Sequence, residues 1–165
     1  MRLRKDRQAN RSAPSPRYPL QIVALAHGAH GARIAGIAGD TALGAYSIVV
    51  SSKGAYEGLD RDEGNRLFYS GSHSHENKDP DRPGKSSTGT QALKASLASG
   101  RPVRVLRSGG GTGNHRWAPD SGIRYDGLYR VVRKLTPLNA RGMCDDFPVN
   151  ELQSIPRFPI SVRQT

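Results

Sequence analysis

The chain has 165 residues, and its 25 Lys and Arg against 14 Asp and Glu give a formal net charge of +11. With 19 Gly, 11 Pro and 35% hydrophobic residues, the composition favours one turn-rich α+β or all-β domain over a helical bundle. No run of about 18 apolar residues is present, which excludes a membrane-spanning helix. The single cysteine, Cys144, excludes a disulfide framework and a multi-cysteine zinc site, and it fits a reducing compartment. The positive charge favours a polyanionic partner, nucleic acid first, because Lys and Arg displace counterions condensed on phosphates.

Both ends of the chain are predicted to lie outside a folded core of residues 30–135. Residues 1–29 start with six basic side chains against one acidic side chain in the first 20 positions, so they are expected to form a disordered basic arm. An Arg-rich, acid-poor start is also typical of a transit peptide. Residues 136–165 contain four prolines and no apolar periodicity, which predicts a loosely ordered tail. Within that tail, residues 149–152 fit either a strand or a helical turn.

Short β-branched or alternating segments between turn residues predict four strands. In chain order they cover residues 45–50, 66–70, 102–107 and 125–132. The last of them starts near an Asp-Gly pair, which is typical of a tight turn. Residues 72–89 are polar and hold two prolines, so they predict a long loop between the second and third strands.

One helix is predicted over residues 90–99, at the end of the long loop. Leu93 and Leu97 stand at i and i+4, Thr90 is a candidate N-cap, and Gly100 provides a stop signal. Strands that outnumber helices in this way predict an α+β, mainly β fold whose sheet is curled or partly closed into a small barrel.

The sequence contains no convincing catalytic or metal-binding set. The segment His73-Ser74-His75-Glu76 lacks a dependable third and fourth zinc ligand, so a polar loop is expected there. Cys144 has acidic neighbours and no positive charge to lower the pKa of its thiol. The glycine-rich residues 109–113 lack the Gly-Lys-Ser/Thr ending of a phosphate-binding loop and predict a hairpin connection. We therefore expect no cofactor, no resident metal and no enzymatic activity in this chain.

An ordered series of short segments carries a family resemblance. The segments are Ile34-Ala35-Gly36-Ile37, residues 44–50, Gly54-Ala55-Tyr56-Glu57, Gly64-Asn65, Phe68-Tyr69-Ser70-Gly71-Ser72, residues 100–105, Trp117-Ala118-Pro119 and residues 124–129, which contain Tyr125-Asp126-Gly127. Over residues 30–135 the chain resembles the SRA (SET- and RING-associated) domain, also called the YDG domain after that tripeptide.

This resemblance implies a curled, PUA-like β-barrel with one or two flanking helices. It also implies a function, since SRA domains read methylated cytosine in DNA by flipping the base out of the duplex into a pocket. The expected partner is therefore double-stranded DNA that carries 5-methylcytosine, and the expected role is a non-enzymatic chromatin reader in the nucleus, without a membrane. Any ubiquitin ligase or histone methyltransferase activity would come from a partner protein.

The resemblance also implies roles for individual residues. Two tyrosines are expected to stack on the flipped base, one carboxylate to accept from its exocyclic amine, and small residues to line the pocket. By position these are Tyr56 and Tyr69, Asp60 with Asp62 as the second choice, Ser70 and Ser72, and the backbone of Gly54 and Ala55. Ile34 is expected to be the apolar wedge that enters the duplex, the alternative being a buried strand residue. In the tripeptide, Asp126 is expected to bind backbone amides in a turn, and Gly127 to adopt a positive φ.

The resemblance has departures, and two alternatives stay open. The basic loop that reads the opposite strand in the family would fall in residues 73–86, which are acidic here, so a preference for hemimethylated sites is not carried over. One alternative is a basic SRA-like protein that binds nucleic acid without regard to methylation. The other is a modification-dependent nuclease that would use the acidic stretch near His73 and His75.

Overall fold

The computed structural model describes residues 15–51, 60–71, 87–110, 116–135 and 149–156. These residues form eight strands and two helices. In chain order they are β1 (Arg17–Tyr18), α1 (Gln21–Ala26), β2 (Ile37–Asp40), β3 (Gly44–Val50), β4 (Arg61–Asp62), β5 (Arg66–Ser70), α2 (Thr88–Ser99), β6 (Val103–Ser108), β7 (Ile123–Leu135) and β8 (Val149–Ser154). The predicted α+β, mainly β class is confirmed, and each of the four predicted strands is present with small shifts of its bounds.

All eight strands belong to one sheet with the order β2-β3-β6-β7-β8-β5-β4, and β1 adds to β7 beside this path. β3 and β6 are parallel, and the other described pairs are antiparallel. Among the described residues β2 and β4 do not pair, so the sheet is open rather than a closed barrel. It is nevertheless strongly curled. The hydroxyl of Tyr69 on β5 lies 3.3 Å from the carbonyl oxygen of Val49 on β3, although three strands separate β5 from β3.

Helix α2 begins two residues earlier than predicted because its cap is Ser87 rather than Thr90. The Ser87 hydroxyl accepts from the Thr90 amide at 3.1 Å, while the Thr90 side chain is buried. At the other end Gly100 has φ 66°, the left-handed geometry that commonly ends a helix and that its position predicted. Neither α1 nor α2 is long and apolar enough to cross a membrane.

The apolar core lies on both faces of the sheet. The larger cluster packs α2 on the curled inner face and includes the fully buried Ile48, Leu93, Val105 and Leu152. A smaller cluster lies under α1 on the outer face and consists of Ala24, Ala29, Val49, Leu106 and Ile123. Because both faces are covered at β3, this strand buries Ile48 in the larger cluster and its neighbour Val49 in the smaller one, instead of alternating buried and exposed residues there.

The expectations for the two ends were wrong where the structure describes them. Residues 15–29 are not a disordered arm, since β1 pairs with β7 and α1 packs Ala24 fully into the outer cluster. Residues 149–154 are not a loose tail, since β8 lies between β7 and β5 with Leu152 completely buried. Both segments are too short to be stable alone and depend on the sheet they join. Residues 1–14, 136–148 and 157–165 lie outside the described residues.

Candidate nucleic-acid binding site

A cavity of about 690 Å³ opens where the sheet curls toward the start of α2. This volume lies in the usual range for small-molecule sites. Its walls come from the loop before β2, the end of β3, the end of β5 and the first turn of α2. The lining residues are Ile34, Ala35, Gly36, Ile37, Gly39, Val49, Ser51, Tyr69, Ser70, Ser87, Thr88 and Gly89. Three residues singled out from the sequence, Ile34, Tyr69 and Ser70, thus lie around one cavity.

Four predicted pocket residues, Gly54, Ala55, Tyr56 and Ser72, lie outside the described residues, so their placement stays a prediction. Residues 73–86, which include two histidines and were predicted to form a polar loop, lie outside them as well. In the described part of the chain no group of three or more His, Cys, Asp or Glu side chains could hold a metal ion.

Tyr69 forms one wall of the cavity with its ring half-buried. Its hydroxyl lies 3.5 Å from the carbonyl oxygen of Gly36, at the end of the loop that carries Ile34. A side chain at position 36 would place its Cβ 2.9 Å from the same hydroxyl, closer than real Cβ contacts allow. Gly36 therefore permits the loop to lie directly against the tyrosine.

Asp60 lies next to the cavity wall and holds Ser70 in place. One carboxylate oxygen of Asp60 accepts from the Ser70 amide at 2.7 Å and from the Ser70 hydroxyl at 2.5 Å. Ser70 is 2% exposed and lines the cavity directly. Both members of this pair carry predicted pocket roles, and the fold brings them into contact across ten positions of sequence.

Asp62, the second choice for the pocket carboxylate, is engaged elsewhere. It forms a two-point ion pair with Arg107 of β6, in which Nε and Nη2 donate to its two oxygens at 2.7 and 2.9 Å. The Asp62 side chain is 5% exposed and the Arg107 side chain 4%. Asp62 therefore joins the edge strand β4 to β6, and the prediction that it could replace Asp60 was wrong.

The contacts of Asp126 with Arg107 and Arg124 contradict the role that was predicted for Asp126. The Asp126 carboxylate does not bind turn amides but accepts from Arg107 at 2.8 Å and from Arg124 on both of its oxygens. Burial works against the charge of Arg107, yet hydrogen bonds from its guanidinium to Asp62 and Asp126 outweigh burial and raise its pKa. Arg107 and Arg124 are thus structural groups, because internal carboxylates pair with both guanidinium groups.

The tripeptide itself forms a β-bulge inside β7. The pairing with β6 shifts between Val105 and Leu106, so that Gly127 and Tyr125 have partners and Asp126 is the extra residue. Gly127 has φ 114°, as its predicted positive value requires. The bulge turns the Asp126 side chain toward Arg107. The sequence instead predicted a tight turn at this segment, which would not have placed Asp126 beside Arg107.

Ile34 is 84% exposed, so the alternative of a buried strand residue is wrong. Its loop, residues 31–35, is held by two polar residues that sequence reasoning missed. Gln21 of α1 donates through Nε2 to the carbonyl oxygens of Ala32 at 3.1 Å and Ala35 at 2.9 Å. The other is His30, a histidine flanked by small residues, which is only 1% exposed.

The hydrogen bonds of His30 define its tautomer. The carbonyl oxygen of Ala35 can only accept, so the Nε2 that lies 2.8 Å from it carries the proton. Nδ1 then accepts from the Ser47 hydroxyl at 2.8 Å, and that hydroxyl accepts in turn from the Gly31 amide at 3.1 Å. Burial lowers the pKa of His30 below its ordinary value, helped by the nearby charge of Arg104 and opposed by the Ala35 hydrogen bond. The neutral ring fastens the loop to β3.

Comparison with known proteins gives one consistent family. The family model of the SAD/SRA domain matches residues 8–152. ORTHRUS 1, an E3 ubiquitin-protein ligase of Arabidopsis thaliana, is 37% identical over 122 residues, which cover 70% of this chain and 19% of that protein. The chain therefore spans about a fifth of the length of the curated relatives it matches.

Several solved structures share the fold at identities above 25%, among them an SRA–DNA complex and a restriction endonuclease. The SUVH5 SRA domain in complex with hemi-methylated CG DNA gives a TM-score of 0.66 at 26% identity, covering 90% of this chain and 92% of that one. The modification-dependent TagI restriction endonuclease gives a TM-score of 0.69 at 28% identity, covering 88% of this chain and 50% of that one. Both cover more of the chain than the core of residues 30–135 expected from sequence.

Proposed function

The chain belongs to the SAD/SRA domain family, and on that premise we propose that it binds double-stranded DNA carrying 5-methylcytosine and takes the modified base into the cavity beside Tyr69. The observation that carries the proposal is that Tyr69, Ser70 and the exposed Ile34 lie around one cavity. The Asp60 carboxylate accepts a hydrogen bond from Ser70 in the wall of that cavity. The match to the SUVH5 domain, solved with hemi-methylated CG DNA, supports it.

Reading a base in this way requires that the base leave the stack, because its edges are hidden inside the duplex. Extrusion costs a few kcal/mol. Stacking on an aromatic side chain returns about 1–3 kcal/mol for each ring, so the ring of Tyr69 offsets much of that cost and a second ring at Tyr56 offsets more. Ile34 enters the duplex and fills the space that the base leaves, as apolar wedges do.

Selectivity for cytosine is assigned to Asp60. The exocyclic amine of cytosine is a donor, and a carboxylate is a natural acceptor for it. The hydrogen bonds to Ser70 orient the Asp60 carboxylate at the cavity wall. Ser70, Ser87 and Thr88 supply small hydroxyl side chains to the same wall, which leave room for a substituent on the base.

We further propose that this chain acts as a reader in the nucleus and has no catalytic activity of its own. In this proposal, ubiquitin ligase or histone methyltransferase chemistry reaches the methylated site through a partner protein. The support is that the SAD/SRA family model matches residues 8–152 and that the matched relatives include E3 ubiquitin-protein ligases, the chemistry that the proposal assigns to a partner. A ligase or methyltransferase recovered with the chain from nuclear extract, and no cutting of methylated plasmid with divalent metal, would agree with it.

The binding proposal is tested by titrating three matched duplexes at about 150 mM salt, with cytosine, 5-methylcytosine on one strand, or 5-methylcytosine on both. Wild-type protein should bind the methylated duplexes about tenfold or more tightly than the unmodified one. Asp60→Asn should lose most of this preference, because asparagine can still accept from Ser70 but presents an N–H toward the amine of the base.

Asp40→Asn is the matched control, since one carboxylate oxygen of Asp40, the last residue of β2, also accepts two hydrogen bonds, but these come from the amides of Ala42 and Leu43 in the following turn. It should keep the preference for methylated DNA. Equal affinity of wild-type protein for all three duplexes would overturn the proposal and leave a methylation-blind binder of nucleic acid.

A further inference from the structure

Ile34 is the most exposed large hydrophobic side chain among the described residues, at 84%. A side chain that must enter a duplex gains affinity when its loop already has the bound shape, because no ordering cost is then paid on binding. The loop of residues 31–35 contains no helix or strand of its own, so its shape depends on contacts from outside the loop.

Gln21 provides the first of these contacts from α1. Its Nε2 donates both amide hydrogens to the loop, one to the carbonyl oxygen of Ala32 and one to that of Ala35. The two carbonyls bracket Ile34 in sequence. A single side chain thus fixes the backbone on both sides of the residue.

His30 and Ser47 provide the second contact, which joins the loop to β3. The His30 ring bridges the Ala35 carbonyl and the Ser47 hydroxyl, and that hydroxyl also accepts from the Gly31 amide. Both ends of the loop are therefore tied to β3. The next residue, Gly36, contacts the hydroxyl of Tyr69, so the same short segment reaches the cavity wall.

From these contacts we propose that Gln21 and His30 are positioning residues that preorganise the Ile34 loop for entry into the duplex and hold it against the cavity. The proposal rests on the proposed function and adds to it a role for α1. Helix α1, which lies in a segment that was predicted to be disordered, would then contribute to recognition without contacting the flipped base.

The first test needs no DNA. Gln21→Met keeps the length of the side chain and removes its donors, and Gln21 is half-buried, so the fold should survive with an unchanged melting temperature. In the free variant the backbone order parameter of Ile34 should fall from about 0.85 to below about 0.6. Gln153→Met is the matched control on β8, where the glutamine donates to Glu151, and it should leave Ile34 unchanged. An order parameter that stays the same in Gln21→Met overturns the proposal.

The second test asks whether Gln21 acts through Ile34. Gln21→Met should weaken binding of the methylated duplex about fivefold in the wild-type background but less than about twofold in an Ile34→Ala background, because the loop then has no wedge to position. An equal loss of affinity in both backgrounds would show that Gln21 supports the fold in general rather than the position of Ile34, and it would overturn the proposal. If wild-type protein shows no methylation preference, the proposed function fails, and the order parameter still decides whether Gln21 shapes the loop.

Discussion

At the scale of single residues, Glu151 shows how a buried acid is kept charged. Its side chain is 4% exposed and forms ion pairs with Arg66 at 2.8 Å and Arg133 at 2.7 Å, with Gln153 donating at 3.1 Å. The hydrogen bond from Arg66, followed by those from Gln153 and Arg133, outweighs burial and lowers the pKa of Glu151 from 4.5 to about 2. The protonation of Glu151 therefore makes the free energy of unfolding depend on pH in the acid range.

The sign of that coupling follows from the two pKa values. The unfolded chain binds a proton at Glu151 near pH 4.5, whereas the folded chain resists protonation until about pH 2. The stability that Glu151 contributes is present above pH 4.5 and is lost as the pH falls toward 2. In urea titrations Glu151→Gln should be less stable than wild type by about 1–2 kcal/mol at pH 7, because both arginines are half-exposed and can rehydrate.

The same comparison at pH 3 provides the check. The gap between Glu151→Gln and wild type should narrow there, since the wild-type protein has lost most of the contribution. A gap of the same size at both pH values would show that the charge of Glu151 is not what stabilises β8.

Single residues also show which features of the site could be predicted from the sequence. The positive φ of Gly127 was predictable because an Asp-Gly pair between apolar residues marks a local backbone feature. The partners of Asp126 were not, because Arg107 is nineteen positions away and meets it only through the register of β6 and β7. Likewise the contact of Asp60 with Ser70 depends on pairing that no local pattern encodes.

At the scale of elements, β4 is a two-residue strand at the free edge of the sheet, and a buried side chain anchors it in addition to its short backbone pairing with β5. Asp62 joins it to Arg107 on β6, which lies four places away in the strand order. Asp62→Ala leaves the buried Arg107 with Asp126 as its remaining described carboxylate partner. Unfolding free energy should fall by about 3 kcal/mol, the usual cost of breaking a buried ion pair.

Because Asp60 directly precedes β4, the same variant should also weaken binding of methylated duplex more than that of unmodified duplex. The control is Asp120→Ala, at an exposed position, which should change stability by less than about 0.5 kcal/mol. A folded Asp62→Ala protein with wild-type stability would show that β4 is held by other contacts.

The elements that were predictable carry their own signals. α2 has good helix formers and a glycine stop, and β3 is β-branched and short, so local propensity and fold agree. α1 has six residues and no side-chain cap, and β8 buries four consecutive residues of which two are polar, Asn150 and Glu151. Their stability comes from neighbours on the sheet, which a reading along the chain does not see.

At the scale of the whole molecule, the charge of +11 predicts strong salt dependence, but only exposed cations release counterions from DNA. Arg107, Arg124 and Arg66 are occupied by internal carboxylates. Arg33, next to Ile34, is exposed on the loop that is proposed to enter the duplex. The cations that stabilise the fold are therefore distinct from Arg33, which we expect to meet a phosphate if the duplex binds at the Ile34 loop.

This separation gives a prediction for the slope of log affinity against log salt concentration. Arg33→Gln should reduce the magnitude of the slope by about 1, equally for methylated and unmodified duplexes, because a phosphate contact carries no information about the base. Arg130→Gln is the control, since Arg130 is also exposed but donates to Gly100 at the far end of α2 from the cavity. Its slope should match wild type. If instead Arg130→Gln changes the slope and Arg33→Gln does not, DNA approaches the other end of the sheet, and the cavity beside Tyr69 is not where the duplex binds.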